Sequence, residues 1–242
     1  MLKNLFKSLP VLENLRRGLN NQYERDDFVI GELRKLPAQS KILDAGCGSQ
    51  RYRPYCEHLT YKAQDFGKYS RDEKPMLGAD CQGAADSSYA YGKLDYVGDI
   101  WQIQEEAEAF EAILCTEVLE HIPYPNETIR EFRRLLKPGG TLILTAPSNC
   151  LRHMDPYFFY SGFSDRWFEK LLGDNGFSIE RLEAVGDYYR WLAVETARTA
   201  ATHSVFAKIA LLPSFLYFYN KAKTNLSTDT LCMGYHVLAK KK

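Results

Sequence analysis

Lys41-Ile42-Leu43-Asp44-Ala45-Gly46-Cys47-Gly48-Ser49-Gln50 decides how the rest of the chain reads. An apolar pair, Ile42-Leu43, runs into an acid and then a tight Gly-x-Gly turn. That is the pattern of a short buried parallel strand ending in a cofactor-binding loop. Gly46 and Gly48 lack Cβ atoms, so the backbone can take unusual dihedrals and lie directly against a ligand. The loop's free N–H groups, at the start of a following helix, are expected to face that ligand. A lone Gly-x-Gly also fits a dinucleotide fold. That fingerprint, however, wants a third small residue at its sixth position, packed under a pyrophosphate. Here Arg51 stands there, which disfavours a nicotinamide oxidoreductase.

Working outward, 242 residues are enough to bury one substantial core with an appendage. Thirty-one basic residues balance thirty-one acidic ones, which argues against a nucleic-acid partner. Six cysteines (47, 56, 81, 115, 150 and 232) are scattered without C-x-x-C spacing. They read as reduced residues of a cytoplasmic protein, forming neither a disulfide framework nor a zinc site. No H-E-x-x-H or carboxylate cluster calls for a metal. The N-terminus has basic residues but no continuous apolar core, so it is not a secretory signal. Val11, Leu12, Leu15 and Leu19 give it the pattern of an amphipathic helical arm. A second helical pattern over residues 23–36 is closed by Pro37.

Beyond the glycine loop, residues 51–58 predict a short helix and residues 59–65 a second strand. Asp65 lies where a parallel strand ends beside a cofactor ribose, and its carboxylate can accept both hydroxyls, with Phe66 against the base. Residues 67–93 are rich in Gly, Ser, Asp and Tyr and exceed the usual connection length, as a loop covering a site does. Residues 94–100 predict strand three. Ala112 to Cys115 are the core of strand four, whose carboxyl end carries Thr116, Glu117, Glu120 and His121. A helix over 127–136, a turn at 137–140 and strand five over 141–146 follow. Residues 166–175 predict a helix after Ser164, residues 176–185 strand six, and residues 234–239 a last strand. The intervening stretch is far longer than a hairpin needs. Its apolar run over 205–219 is too short for a membrane span and is interrupted by Lys208 and Pro213.

Three of these segments carry a family resemblance. Leu43-Asp44-Ala45-Gly46-Cys47-Gly48 resembles motif I of the class I S-adenosylmethionine-dependent methyltransferases, close to L-D-x-G-C-G. Phe110 to Ile122 is similar to the form F-D-x-V-x-x-x-x-V-L-E-H-I, with Glu111 replacing the common aspartate. Leu136-Lys137-Pro138-Gly139-Gly140 resembles the L-K-P-G-G turn before strand five. Together they span residues 40–147, under half of the chain. The chain resembles, loosely, both the methyltransferases found among bacterial polysaccharide-biosynthesis enzymes and the broad methyltransferase type 11, ubiquinone-biosynthesis-type group. The resemblance implies a Rossmann-like, doubly wound, seven-stranded sheet with its last strand antiparallel and a helical insertion between strands six and seven. It implies an organisation of 1–38 (helical arm and first helix), 39–187 (core), 188–230 (helical insertion or cap) and 231–242 (final strand). It also implies S-adenosyl-L-methionine as cofactor. Asp44, Gly46, Cys47 and Gly48 would form its loop, Asp65 and Phe66 the ribose end, Asp99 and Ile100 the adenine end, and Thr116 and Glu117 the tip after strand four.

Methyl transfer from a sulfonium is an in-line displacement, so the protein chiefly supplies position and, for a hydroxyl acceptor, a base. His153, beside Asp155 in the aromatic segment 148–162, is the first candidate base, with Asp155 as orienter or alternative and His121 third. Transfer by proximity alone, with His153 in a structural role, stays open. The D/N-P-P-Y loop that grips nucleobase amines is absent after strand four. Tyr157 to Tyr160 offer an aromatic platform, favouring O-methylation of a sugar, glycan or small metabolite. A lipid or quinone acceptor docked on the apolar insertion is the runner-up, and a non-catalytic S-adenosylmethionine-binding subunit the third reading. Peripheral membrane contact is expected, if anywhere, through the N-terminal arm or the insertion.

Overall fold

The computed structural model describes residues 21–68 and 91–242. The expected N-terminal arm, Cys81 and most of the expected covering loop lie outside these residues. Seven strands form one sheet in the order β3-β2-β1-β4-β5-β7-β6. They are β1 (Lys41–Ala45), β2 (Thr60–Asp65), β3 (Tyr96–Val97), β4 (Phe110–Thr116), β5 (Leu136–Pro147), β6 (Phe177–Val185) and β7 (Gly234–Lys241). The pairs β1–β2, β1–β4, β2–β3 and β4–β5 are parallel. β7 runs antiparallel to both β5 and β6. The chain steps outward in one direction from β1 to β3 and in the other from β4. Ligands bind at such a switch point, beyond the carboxyl ends of the strands.

Strands buried on both faces need helices on both faces, and two apolar clusters supply that. On one side α1 (Gln22–Lys35) sets Phe28, Val29 and Leu33 against Ile42, Leu114 and Ile143. On the other, α2 (Pro125–Leu135) buries Ile129, Phe132 and Leu135 beside Phe168 and Leu172 of α3 (Asp165–Asp174). Ser164 caps α3 by accepting from the Trp167 N–H, which is why that helix starts where the sequence marks it.

Three segments depart from expectation. Residues 51–58 hold only a short 3₁₀ turn, Arg53–Tyr55, because Pro54 removes a donor and the chain turns at once toward β2. Strand three shrinks to two residues at the sheet edge, stopped by Gly98 at φ +148. The Lys137-Pro-Gly-Gly stretch is both turn and strand: Leu136 pairs with Phe110, and the register then slips before Ala112 pairs with Thr141. Gly139, at φ +75, makes that irregularity possible.

Between β6 and β7 lie α4 (Tyr188–Ala201), α5 (Val205–Tyr219) and α6 (Asn225–Thr230). α5 buries no residue fully. No helix among the described residues is long and apolar enough to cross a membrane. The base of this segment is clasped. Buried Asp187 accepts from the Arg190 N–H at 2.9 Å, capping α4, and from the Ser227 hydroxyl at 2.6 Å. Ser227 in turn completes a capping box with Thr224 at the start of α6. The Met233 N–H donates to the Val185 carbonyl at 2.8 Å, closing the same neck through the backbone.

Candidate active site

Two cavities meet beyond the carboxyl ends of β1, β2 and β4. The first, about 250 Å³, is lined by Asp44, Gly46, Cys47, Gly48, Asp65, Phe66, Asp99, Ile100, Thr116 and Glu117. The structure therefore gathers every residue that the sequence placed around a cofactor. The second, about 580 Å³, lies between the tip of β4, the loop after β5 and one face of α4. Arg25, Glu117, His121 and Met154 line both cavities and form the wall between them.

The glycine loop is held differently from the expectation. Its N–H groups are not turned free toward a ligand. Gly46 and Cys47 donate to the Gln64 carbonyl at 2.9 and 3.0 Å, and Gly48 donates to Asp65 Oδ2 at 2.9 Å. No regular helix follows to present further free donors, so β2 takes up the loop's donors instead. Gly46 sits at φ +70, and a Cβ there would lie 2.5 Å from Val118 Cγ2. Glycine is thus required by protein packing at the tip of β4, whatever the ligand does.

Asp44 is buried and accepts the Tyr61 hydroxyl at 2.5 Å. Desolvation pushes its carboxyl up to about 7, opposed by the Tyr61 bond and reinforced by Asp65. Asp65 is raised by the same burial, against the pull of backbone N–H donors. Its two oxygens accept from Gly48 and Gly67, the Phe66 N–H and the Tyr91 side chain also bond to it, and the residue lines the cavity. The Phe66 ring stands edge-on to Tyr157, 4.9 Å between centroids, and so ties the first cavity to the loop after β5. Asp99 is exposed at the rim, whereas Ile100 is buried.

The dividing wall is strained and charged. Glu117 and Met154 both take left-handed backbone conformations, at φ +52 and +55. Glu117 accepts the Thr145 hydroxyl at 2.9 Å and pairs with Arg25 at 3.0 Å. Nothing in the helical pattern of α1 marks Arg25 as a site residue; the fold brings it there.

The expected His153–Asp155 pair does not form. Left-handed Met154 turns the two side chains apart, and Asp155 instead pairs with Arg152 at 2.8 Å and lines neither cavity. His153 lines the second cavity, its Nδ1 2.8 Å from the Leu151 carbonyl. Its ring packs perpendicular to His121, 4.6 Å between centroids. His121 Nδ1 is bonded to the Tyr157 carbonyl at 2.7 Å, and burial, with His153 adding, lowers this imidazole to about 4. The aromatic platform is also dispersed. Tyr157 serves Phe66, the Tyr160 hydroxyl donates to the Pro123 carbonyl, and Phe159 is exposed.

Two further groups stand out here: Glu120, which the sequence placed at the end of strand four without a role, and Arg198, which it did not mark. Glu120 is buried; its carbonyl accepts from Phe159 and Tyr160 at 2.9 and 3.2 Å, and its Oε2 has no hydrogen-bond partner among the described residues. Burial holds its carboxyl well above the ordinary carboxylate range, and Glu117 adds to the effect. On α4, Arg198 lines the second cavity with Nε and Nη1 likewise buried and unpartnered.

The strand order, the glycine loop at the switch point and the acid ending β2 define a Rossmann-like fold of the methyltransferase kind. The chain matches the methyltransferase domain family over residues 19–193 and belongs to that family. It is 27% identical, over 160 residues, to a ubiquinone biosynthesis O-methyltransferase of Aliivibrio fischeri, covering 65% of this chain and 60% of that one. A ubiquinone biosynthesis O-methyltransferase of Xanthomonas oryzae is 33% identical over 123 residues, covering 50% of this chain and 48% of its own. The chain thus spans about half to three-fifths of the curated relatives it matches. Among solved structures, phosphoethanolamine N-methyltransferase 2 of Haemonchus contortus, in complex with S-adenosyl-L-methionine, superposes with a TM-score of 0.52. It is 17% identical, and the match covers 90% of this chain and 52% of that one.

Proposed function

We propose that this chain transfers the methyl group of S-adenosylmethionine to a hydroxyl oxygen of a small, ring-bearing acceptor. The observation that carries the reading is the common wall: a cavity built on the glycine loop opens, through Glu117, His121 and Met154, against a second and larger one. In this reading Asp44 faces the donor ammonium, Asp65 the ribose hydroxyls, and Asp99 and Ile100 the adenine. The acceptor lies in the second cavity between the imidazoles and the face of α4, where Trp191, Val194 and Ala197 stand beside the Glu195–Arg198 pair. The acceptor oxygen attacks the methyl carbon in line, the carbon–sulfur bond breaks with its electron pair left on sulfur, and the hydroxyl proton departs at the wall.

Family membership supports the donor, and the relatives named as ubiquinone biosynthesis O-methyltransferases support an oxygen acceptor. Dispersal of Tyr157 to Tyr160 removes the support for a sugar platform. The apolar side chains Trp191, Val194 and Ala197 on the α4 face favour a phenolic acceptor over a glycan. The test is stabilisation by S-adenosylhomocysteine, followed by transfer from labelled donor to panels of phenols and of sugars. We expect phenols to be methylated, and His153→Ala to lower kcat by about 10²–10⁴-fold with donor affinity unchanged. Donor binding with no transfer to either panel would make the chain a binding subunit. Transfer to sugars alone would overturn the acceptor assignment.

A further inference from the structure

We propose that the outer face of α5 is a docking surface for an anionic lipid bilayer. α5 packs along α4, with Ala207, Leu211, Phe215 and Phe218 half-buried and the Arg190 guanidinium 4.5 Å from the centre of the Tyr219 ring. The same helix is apolar on its other side as well. Val205, Ile209, Leu212 and Leu216 fall at i, i+4, i+7 and i+11, and Phe206 and Tyr217 widen that stripe. These six side chains are between 47% and 85% exposed. A helix that is apolar all round belongs in a core or against another apolar phase, and a contiguous exposed stripe of this kind marks an interaction site.

The charge pattern selects the occupant. From residue 196 to residue 228 the chain carries no acidic residue, although it has 31 acids in 242 residues. The same stretch holds Lys208, Lys221 and Lys223, all exposed. Lys221 Nζ stands 4.5 Å from the centre of the Tyr217 ring, so a cation sits at the edge of the apolar stripe. A second copy docked by symmetry would set this acid-free, basic segment against itself. An anionic bilayer offers both complements at one surface, phosphate charge over acyl chain.

α5 has 15 residues, fewer than the about 20 that a span needs, so it lies along the interface rather than across it. Docking holds α4, one face of which borders the second cavity, close to the bilayer.

The probe is vesicles of equal parts phosphatidylglycerol and phosphatidylcholine, floated with the full chain and compared with vesicles of phosphatidylcholine alone. We expect the chain to float with the anionic vesicles and high salt to weaken that binding. Phe206→Ser with Ile209→Ser should lower the partition coefficient by at least about 10-fold. Lys208→Gln with Lys221→Gln should lower it about 30-fold on anionic vesicles and leave it unchanged on neutral ones. Both double variants should keep the wild-type melting temperature, because every changed side chain is exposed. Val97→Ser, 70% exposed on β3 at the opposite edge of the sheet from β6, should change nothing. No flotation, equal flotation with neutral and anionic vesicles, or flotation that survives Phe206→Ser with Ile209→Ser would overturn the proposal. A dimer in sedimentation velocity that the same variant disperses would give the face to a second copy and overturn it likewise. Neither donor nor acceptor is present, so failure here and failure of the proposed reaction are separate results.

Discussion

Asp44 gives the sharpest test of the donor assignment, because its protonation and ligand binding are coupled. Burial holds its carboxyl at about 7, so at pH 6 the free protein keeps it about 90% protonated and at pH 8 about 10%. An ammonium group brought against it favours the carboxylate, and binding must expel the proton. The expected result is release of about 0.9 proton at pH 6, falling as the pH rises through 7. Donor affinity should rise about tenfold per pH unit up to pH 7 and flatten above, an effect worth about 1.4 kcal/mol per unit. The donor's own amine, titrating near 8, stays about 90% charged or more up to pH 7, so the test is read at and below that pH. Calorimetry in two buffers of different ionisation enthalpy measures the proton count directly. Asp44→Asn should abolish the release and make affinity independent of pH below 7. The same shift acts on folding. The native carboxyl holds a proton that the unfolded chain, at 3.8, has lost, so ligand-free stability falls as pH rises from about 4 to 7. No proton release at pH 6, or release that persists in Asp44→Asn, would refute the placement of the ammonium.

Gly46→Val should lose both donor binding and stability, because the new Cβ meets Val118 at a residue held at φ +70; a melting temperature equal to wild type would show that the tip of β4 yields. Arg198→Ala should raise KM for acceptors bearing a carboxylate or other anion and leave S-adenosylhomocysteine affinity unchanged. Arg198 lines the second cavity and not the first, with Nη2 paired to Glu195 at 3.4 Å and Nε and Nη1 without partners among the described residues; equal KM values for charged and uncharged acceptors would remove that role.

Local pattern was enough where chemistry and backbone share a few residues. Ile42 to Gly48 and Ala112 to Cys115 could be read as strand, loop and site because apolar run, acid and glycine fall together in order. It failed where the partner is remote. Glycine at position 46 is needed for Val118, 72 residues on, whatever a ligand requires of it. The His153–Asp155 spacing looked like a dyad, yet one left-handed residue between them sends the carboxylate to Arg152. Glu120 lay in a recognised motif, but that its Oε2 is an orphan is a tertiary fact, as is the arrival of Arg25 from α1. The slip in β5 was hidden because Pro-Gly-Gly announces a turn, and only pairing with Phe110 shows that the strand has already begun.

The clasp of Asp187 and Ser227 has a consequence for how such an enzyme can change. Everything from α4 to the start of α6 leaves the sheet and returns to it through one neck, pinned by a side-chain bond of 2.6 Å and a backbone bond of 2.8 Å. The strands behind that neck pair with one another across β5, β7 and β6 without reference to what is threaded between them. The face of α4 that borders the second cavity can therefore be exchanged as a cassette, with the two anchoring residues kept as its splice points. Acceptor preference can diverge in that cassette while the glycine loop and the ends of β1 and β2 stay as they are.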